Sequence, residues 1–364
     1  MGSGVSRRGF LKWAVAVAAI AGVAAGAGLA ISTKRTPTPT PTKTAPTPSP
    51  AKTITPRTMK ISHQWSTTDV RHIWAVKFAQ MVEERTGGEL KFTIYPAQSL
   101  YKAAEQWDYI VSGDLEFTII PLDYASGKVP QISVTLMPAT ITSLEQAFKW
   151  RGAEIGSKFE EILEKNGAKI ISWGWFVGGI GSRTRLIRLP EDVKGLKMRA
   201  AGKMFEYMLA QAGAIIVSMP SSEIYTALQT GVLDSAFTSV DSFYSYRLYE
   251  VIRYYTGHRK GYMIWYMLEP LIISMKTWNS LTPEQQKIVL EVGRELESWV
   301  YQQLKDNNAA MVTEFEQKGV EVHDMTYDEW KAWRDFAEKT AWKYFAETVP
   351  GGKELLDLAL KVPA

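Results

Sequence analysis

The residue type and position that most plainly invite chemistry belong to Arg199. It closes a strand-like run over 196–199 and is followed at once by Gly202 and a helical stretch over about 203–212. The turn from strand end into helix is where open α/β sheets hold small ligands. A guanidinium there offers two parallel donors that match a carboxylate. The competing reading is a structural arginine paired with Asp192 or Glu206. A second unit follows, with a strand over 214–218, a turn at Met219 and Pro220, a helix over 222–230 stopped by Gly231, and a strand over 233–239. Its last residues reach the same edge.

Parts for covalent or metal chemistry are absent at the level of spacing. The four histidines, His63, His72, His258 and His323, are scattered without H-E-x-x-H; there is no G-x-S-x-G elbow and no cysteine. In GWFVGGIGSR the glycines at 174, 178, 179 and 181 surround Trp175 and Phe176, but they do not form G-x-G-x-x-G and no helix follows. The stretch reads as a flexible crossing between two halves, its aromatics turned toward a ligand. A carboxylate pair assembled in space would still make an exported enzyme, which is the rival to a binding protein. A ligand-sensing subunit of a membrane receptor would use the same fold and pocket.

The words DVKGLKMR and MPSSEIYTALQTGVLDSA, with RTGGELKFTIYPAQSL earlier and WNSLTPEQQKIV later, carry a resemblance over nearly everything from Met59 on. The chain resembles the solute-binding proteins of tripartite ATP-independent periplasmic (TRAP) transporters. The resemblance implies a two-lobe periplasmic-binding-protein-like α/β fold with a cleft, hinge strands and a helix crossing both lobes. It implies that Arg199 clamps the carboxylate of a small organic anion, with pocket positions at Gln64, Trp65, Ser221 and Thr238. It further implies delivery to a small and a large membrane subunit driven by an ion gradient, with no cofactor.

Two departures from the family pattern matter. Arg183 is the candidate for a second carboxylate contact, yet it stands closer to Arg199 than the family spacing, and Arg185 and Arg188 compete with it. Where many relatives carry an acid followed by asparagine or tryptophan, this chain has Phe237 and Thr238. That change removes a carboxylate that holds a metal in some relatives, so no metal is expected. Trp65, Trp175 and Phe176 point to an apolar or aromatic ligand tail.

What must position these residues divides into unlike parts. Residues 1–32 contain SRRGFLK, a twin-arginine export signal, and an uncharged apolar run over 13–31, long enough to serve as a signal core or as a membrane anchor. The three cations of the motif would remain on the cytoplasmic side. Residues 33–57 hold seven prolines in a Thr-rich setting and read as an extended stalk. Eight of the 42 basic residues precede residue 58 and none of the 38 acidic ones does, so the remainder has 34 bases against 38 acids, a net −4. The basic total therefore gives no reason to expect nucleic-acid binding.

The remaining three hundred or so residues alternate strand and helix signals, which favours parallel sheets covered by helices in two lobes. We place lobe 1 at 58–177 plus 264–303 and lobe 2 at 178–263 plus 304–364. Thr282, Pro283 and Gln285 open a helix with a cap, a first-turn proline and a capping box, and no strong stop follows before Gly319. Such a helix is about 50 Å long and must cross both lobes. Tyrosine- and tryptophan-rich strands over 261–268 and 271–275 precede it. A helix capped by Thr326 and Glu329 closes the chain, ended by Pro350, Gly351 and Gly352.

Overall fold

The computed structural model describes residues 55–364; the export-signal or anchor segment, and all but the last three residues of the stalk, lie outside these. Among the described residues no helix is long and apolar enough to cross a membrane. Twelve strands follow in order: β1 (Arg57–Ser62), β2 (Leu90–Tyr95), β3 (Phe117–Ile119), β4 (Ala168–Ser172), β5 (Trp175–Ser182), β6 (Lys197–Arg199), β7 (Ile215–Ile216), β8 (Ser235–Ser239), β9 (Tyr254–Gly257), β10 (Tyr266–Leu268), β11 (Leu271–Ser274) and β12 (Glu321–Asp324).

They form two sheets. The first has the order β2-β1-β3-β11-β4, and the second β12-β9-β5-β8-β6-β7 with β10 paired to one end of β5. In the first, β1 lies parallel between β2 and β3, and β11 enters antiparallel beside β3. In the second, β6 is parallel to both β7 and β8. Parallel strands demand helical crossovers, and the alternation legible in the sequence supplies them.

The chain changes sheet at two short links, Trp173–Gly174 and Glu269–Pro270. The links are tied to each other, the Glu269 amide donating to the Gly174 carbonyl at 2.8 Å. A third connection is the helix Pro283–Gln317, 35 residues long and opened by the Thr282–Gln285 capping box. At 1.5 Å per residue it extends about 52 Å. Val289, Val292, Leu296, Val300 and Leu304 pack in one core with Met59, Trp74 and Phe78, whereas Val312 and Phe315 pack in the other with Phe243 and Tyr255.

The glycine-rich stretch corrects its sequence reading. It is the regular strand β5, with all eight residues buried. Its glycines admit aromatic rings: a Cβ on Gly178 would stand 2.5 Å from the Trp265 ring, and one on Gly179 would stand 2.1 Å from the Tyr255 hydroxyl. Close packing across the sheet, rather than flexibility, accounts for them. The expected strand over 261–268 is ordered as a strand only at Tyr266–Leu268. Beyond Pro350 the chain does not stop but begins another helix, Gly352–Leu360, with Gly351 at φ 71° turning into it.

Candidate functional site

Arg199 lies at the end of β6, flanked by β7 and β8, and its residue is 1% exposed. The guanidinium is held on neutral oxygens. Nε donates to the Met219 carbonyl, Nη1 to the Phe237 carbonyl and Nη2 to the Tyr124 hydroxyl, each at 2.9 Å. Among the described residues no carboxylate lies within ion-pair distance of it. The two acids that could have neutralised it are engaged elsewhere. Asp192 accepts from the amides of Arg188 and Leu189 at 2.8 Å, and Glu206 accepts from the Ser218 hydroxyl at 2.8 Å. A guanidinium has five N–H donors; three are used here, and two are left for an anion.

Tyr124 was not legible as a site residue. It belongs to the single turn Leu122–Ala125 that follows β3, so it comes from the first sheet and meets Arg199 from the second. Its hydroxyl accepts from Arg199 and, at 2.9 Å, from the amide of Ser221. Its neighbour Asp123 reaches over the start of the helix Lys203–Gln211. The N-cap there is Gly202, which has no side chain to cap with, and a Cβ on it would stand 2.2 Å from Asp123 Oδ1. Burial pushes the Asp123 carboxyl up to about 7, against hydrogen bonds from Ser126 and the Lys203 amide. A cavity of about 330 Å³ opens beside these groups, lined by Asp123, Tyr124, Ser126, Lys203, Glu206 and Met219 among others. Burial also raises the Glu206 pKa, opposed by Ser218 and Arg199.

The remaining positions read from sequence fall into three places. Ser221 joins Arg199 through Tyr124, and Thr238 lies next to Phe237, whose carbonyl Arg199 holds; both are buried. Gln64 is buried just past the end of β1, its backbone carbonyl accepting from Tyr246 Oη at 3.0 Å, while neither polar atom of its side-chain amide finds a partner among the described residues. Arg183 lies elsewhere. It follows Ser182, which pairs with Ser235 at the start of β8, so it sits at the edge opposite to Phe237–Ser239, and Nη1 approaches the Leu233 carbonyl at 3.4 Å. Trp175 packs edge-on against Trp150 at 5.0 Å.

Trp65 and Phe176 cover a second buried cation that sequence reasoning missed. Their rings lie 4.1 and 4.6 Å from the Arg71 guanidinium. Its edges are filled by Asp69 at 2.7 and 2.9 Å, Glu269 at 2.6 Å, and the hydroxyls of Ser239 and Ser242 at 3.2 and 3.3 Å. Burial opposes its charge, but Asp69 and then Glu269 outweigh this and raise its pKa. Asp241, beside this cluster, is pushed up to about 7 by burial, against Arg71 and with Asp69 and Glu269 adding to the effect. Arg71 is thus saturated with partners where Arg199 is not. Among the described residues no group of three or more metal-ligating side chains assembles.

Two α/β lobes, with a buried, acid-free arginine at the strand ends where they meet, define a class: the two-lobed extracytoplasmic solute-binding proteins. Bacterial extracellular solute-binding protein, family 7 matches residues 61–348, and the chain belongs to that family. It is 38% identical over 306 residues to a solute-binding protein of Albidiferax ferrireducens, covering 83% of this chain and 90% of that one. A TRAP periplasmic solute-binding protein from Rhodoferax ferrireducens, solved with bound malonate, superposes with a TM-score of 0.81 at 38% identity, over 84% of this chain and 98% of the other. The C4-dicarboxylate-binding periplasmic protein of Shewanella loihica is 24% identical over 316 residues, 84% of this chain and 89% of its own.

Proposed function

We propose that this protein captures a small organic acid outside the cytoplasm and passes it to TRAP membrane subunits, with Arg199 gripping the carboxylate. The observation that carries the reading is the state of that side chain: buried, cationic and, among the described residues, without an acid partner and with two N–H groups uncommitted. Burying an unpaired charge is costly, and a binding site is the setting in which that cost is met by an incoming anion. The malonate in the Rhodoferax ferrireducens relative supports a carboxylate as the cargo. Gln64, Ser221 and Thr238 would surround it. Trp65 and Phe176 serve better as covers for Arg71 than as a rest for an apolar tail, which favours compact acids. Arg183 takes no part in this assignment.

The twin-arginine segment fits export. Retention of the apolar run would leave the lobes on a stalk at the outer face of the membrane. A panel of malonate, C4-dicarboxylates, 2-oxo acids, hydroxy acids and aromatic acids tests the function through melting temperature, since a ligand that binds only the folded state raises it by mass action. Arg199→Ala should abolish the shift while the variant still melts cooperatively. An unchanged affinity in that variant removes Arg199 from the site, and turnover of any bound acid removes the binding-protein reading.

A further inference from the structure

We propose that Tyr124 is a direct ligand contact, a hydroxyl whose proton is committed to the bound acid and which restricts the site to ionised carboxylates. The inference rests on the assignment of Arg199 above and extends it. A phenol oxygen has one hydrogen to give and two lone-pair directions to receive. At Tyr124 both receiving directions are taken, by Arg199 Nη2 and by the Ser221 amide, each at 2.9 Å. Neither of those groups can accept. The Tyr124 proton is therefore turned away from both, and no acceptor for it is found among the described residues. Whatever lies beyond that oxygen has to accept.

The neighbouring donors have the same polarity. Arg199 keeps two N–H groups, and with the Tyr124 O–H this corner holds three donors. The carbonyls of Met219 and Phe237 are already bonded to Arg199, and of the two carboxyl groups on the neighbouring cavity wall, Asp123 and Glu206, the latter accepts from Ser218 while neither bonds to Tyr124 or Arg199. A carboxylate, which only accepts, satisfies all three. A primary amide or a protonated acid would turn a hydrogen toward a donor and leave a buried group unpaired, and discrimination built on such a mismatch is steep. Tyr124 also belongs to the first sheet's connection while Arg199 and Ser221 belong to the second, so the acid would be clasped from both sides at once.

The test compares the wild type with Tyr124→Phe, Arg199→Ala and a protein carrying difluorotyrosine at position 124, using isothermal titration with malonate and whichever panel acid binds most tightly, and the primary amide of each. The proposal expects Tyr124→Phe to lose about ten- to a hundredfold in affinity, and the wild type to ignore the amides. It expects the fluorinated protein to lose affinity as its acidic phenol ionises near neutral pH, where the wild type holds steady; a merely structural tyrosine would not impose that pH profile. Tyr124→Phe binding within twofold of wild type, with no pH profile in the fluorinated protein, overturns the proposal and leaves Arg199 standing if its own variant has lost binding. Tight binding of the amides also overturns it. Loss in Tyr124→Phe with Arg199→Ala unaffected keeps the tyrosine and discards the arginine.

Discussion

Arg71 donates to Glu269 at 2.6 Å, with the arginine 0% and the carboxylate 4% exposed at the side chain. This bond fastens the first helix, Val70–Arg85, to the link through which the chain returns from the second sheet to the first. The same guanidinium reaches Ser239 and Ser242, so one side chain ties three segments at the junction of the sheets.

Removing that arginine should be expensive. Arg71→Ala leaves Asp69 and Glu269 buried without their cation, and breaking a buried pair in this way costs about 3–5 kcal/mol. Urea denaturation monitored by tryptophan fluorescence should show the midpoint falling accordingly. A midpoint within experimental error of wild type would mean that the network contributes nothing to stability.

Arg199→Lys separates charge from geometry. Lysine keeps the positive charge but cannot hold the Met219 and Phe237 carbonyls and the Tyr124 hydroxyl while also presenting a fork to a carboxylate. Affinity for the panel acid should fall by about ten- to a hundredfold. If titration shows equal affinity, a point charge is all the site requires.

Asp241 carries a pH signature. Its native pKa, pushed up to about 7 by burial, lies above the value of 3.8 for an ordinary, solvent-exposed carboxyl, so the folded state holds the proton more tightly than the unfolded chain does. The stabilisation is complete below the unfolded value and is lost as pH rises toward and through about 7. Asp241→Asn has no such dependence. Its melting temperature relative to wild type should climb across that interval and then level off. The groups around it, Arg71, Asp69 and Glu269, are present in both proteins, so a difference that stays constant with pH counts against the assignment.

Gly179→Ala should destabilise by about 1–3 kcal/mol through overpacking, because the new methyl would stand 2.1 Å from the Tyr255 hydroxyl and 2.3 Å from its ring carbon. Combined with Tyr255→Ala, the two effects should be strongly non-additive in a double-mutant cycle. Additivity would show that the strand relaxes without involving that ring.

These residues also mark where sequence was readable. The Thr282–Gln285 and Thr326–Glu329 boxes are complete within four residues, and both helices begin where that local chemistry says. Arg199 was legible because strand, glycine and helix follow one another directly. Tyr124 is separated from Arg199 by 75 residues, and Arg71 from Ser239 by 168, so nothing in their own neighbourhoods announces the partner. The glycines of β5 were misread for a related reason: glycine permits both flexibility and close approach, and only the rings of Trp265 and Tyr255 arriving from distant segments decide between them. Arg183 was a candidate second contact whose spacing already departed from the family pattern, and antiparallel pairing of β5 with β8 carries it to the strand ends opposite Phe237–Ser239.

The helix Pro283–Gln317 has a mechanical corollary. A continuous rod seated in both cores resists shear and twist between them, and among the described residues the chain's two other crossings from sheet to sheet are links bonded to each other at Gly174 and Glu269. Because Tyr124 follows a strand of the first sheet and Arg199 ends one of the second, any separation of the halves would part these two side chains.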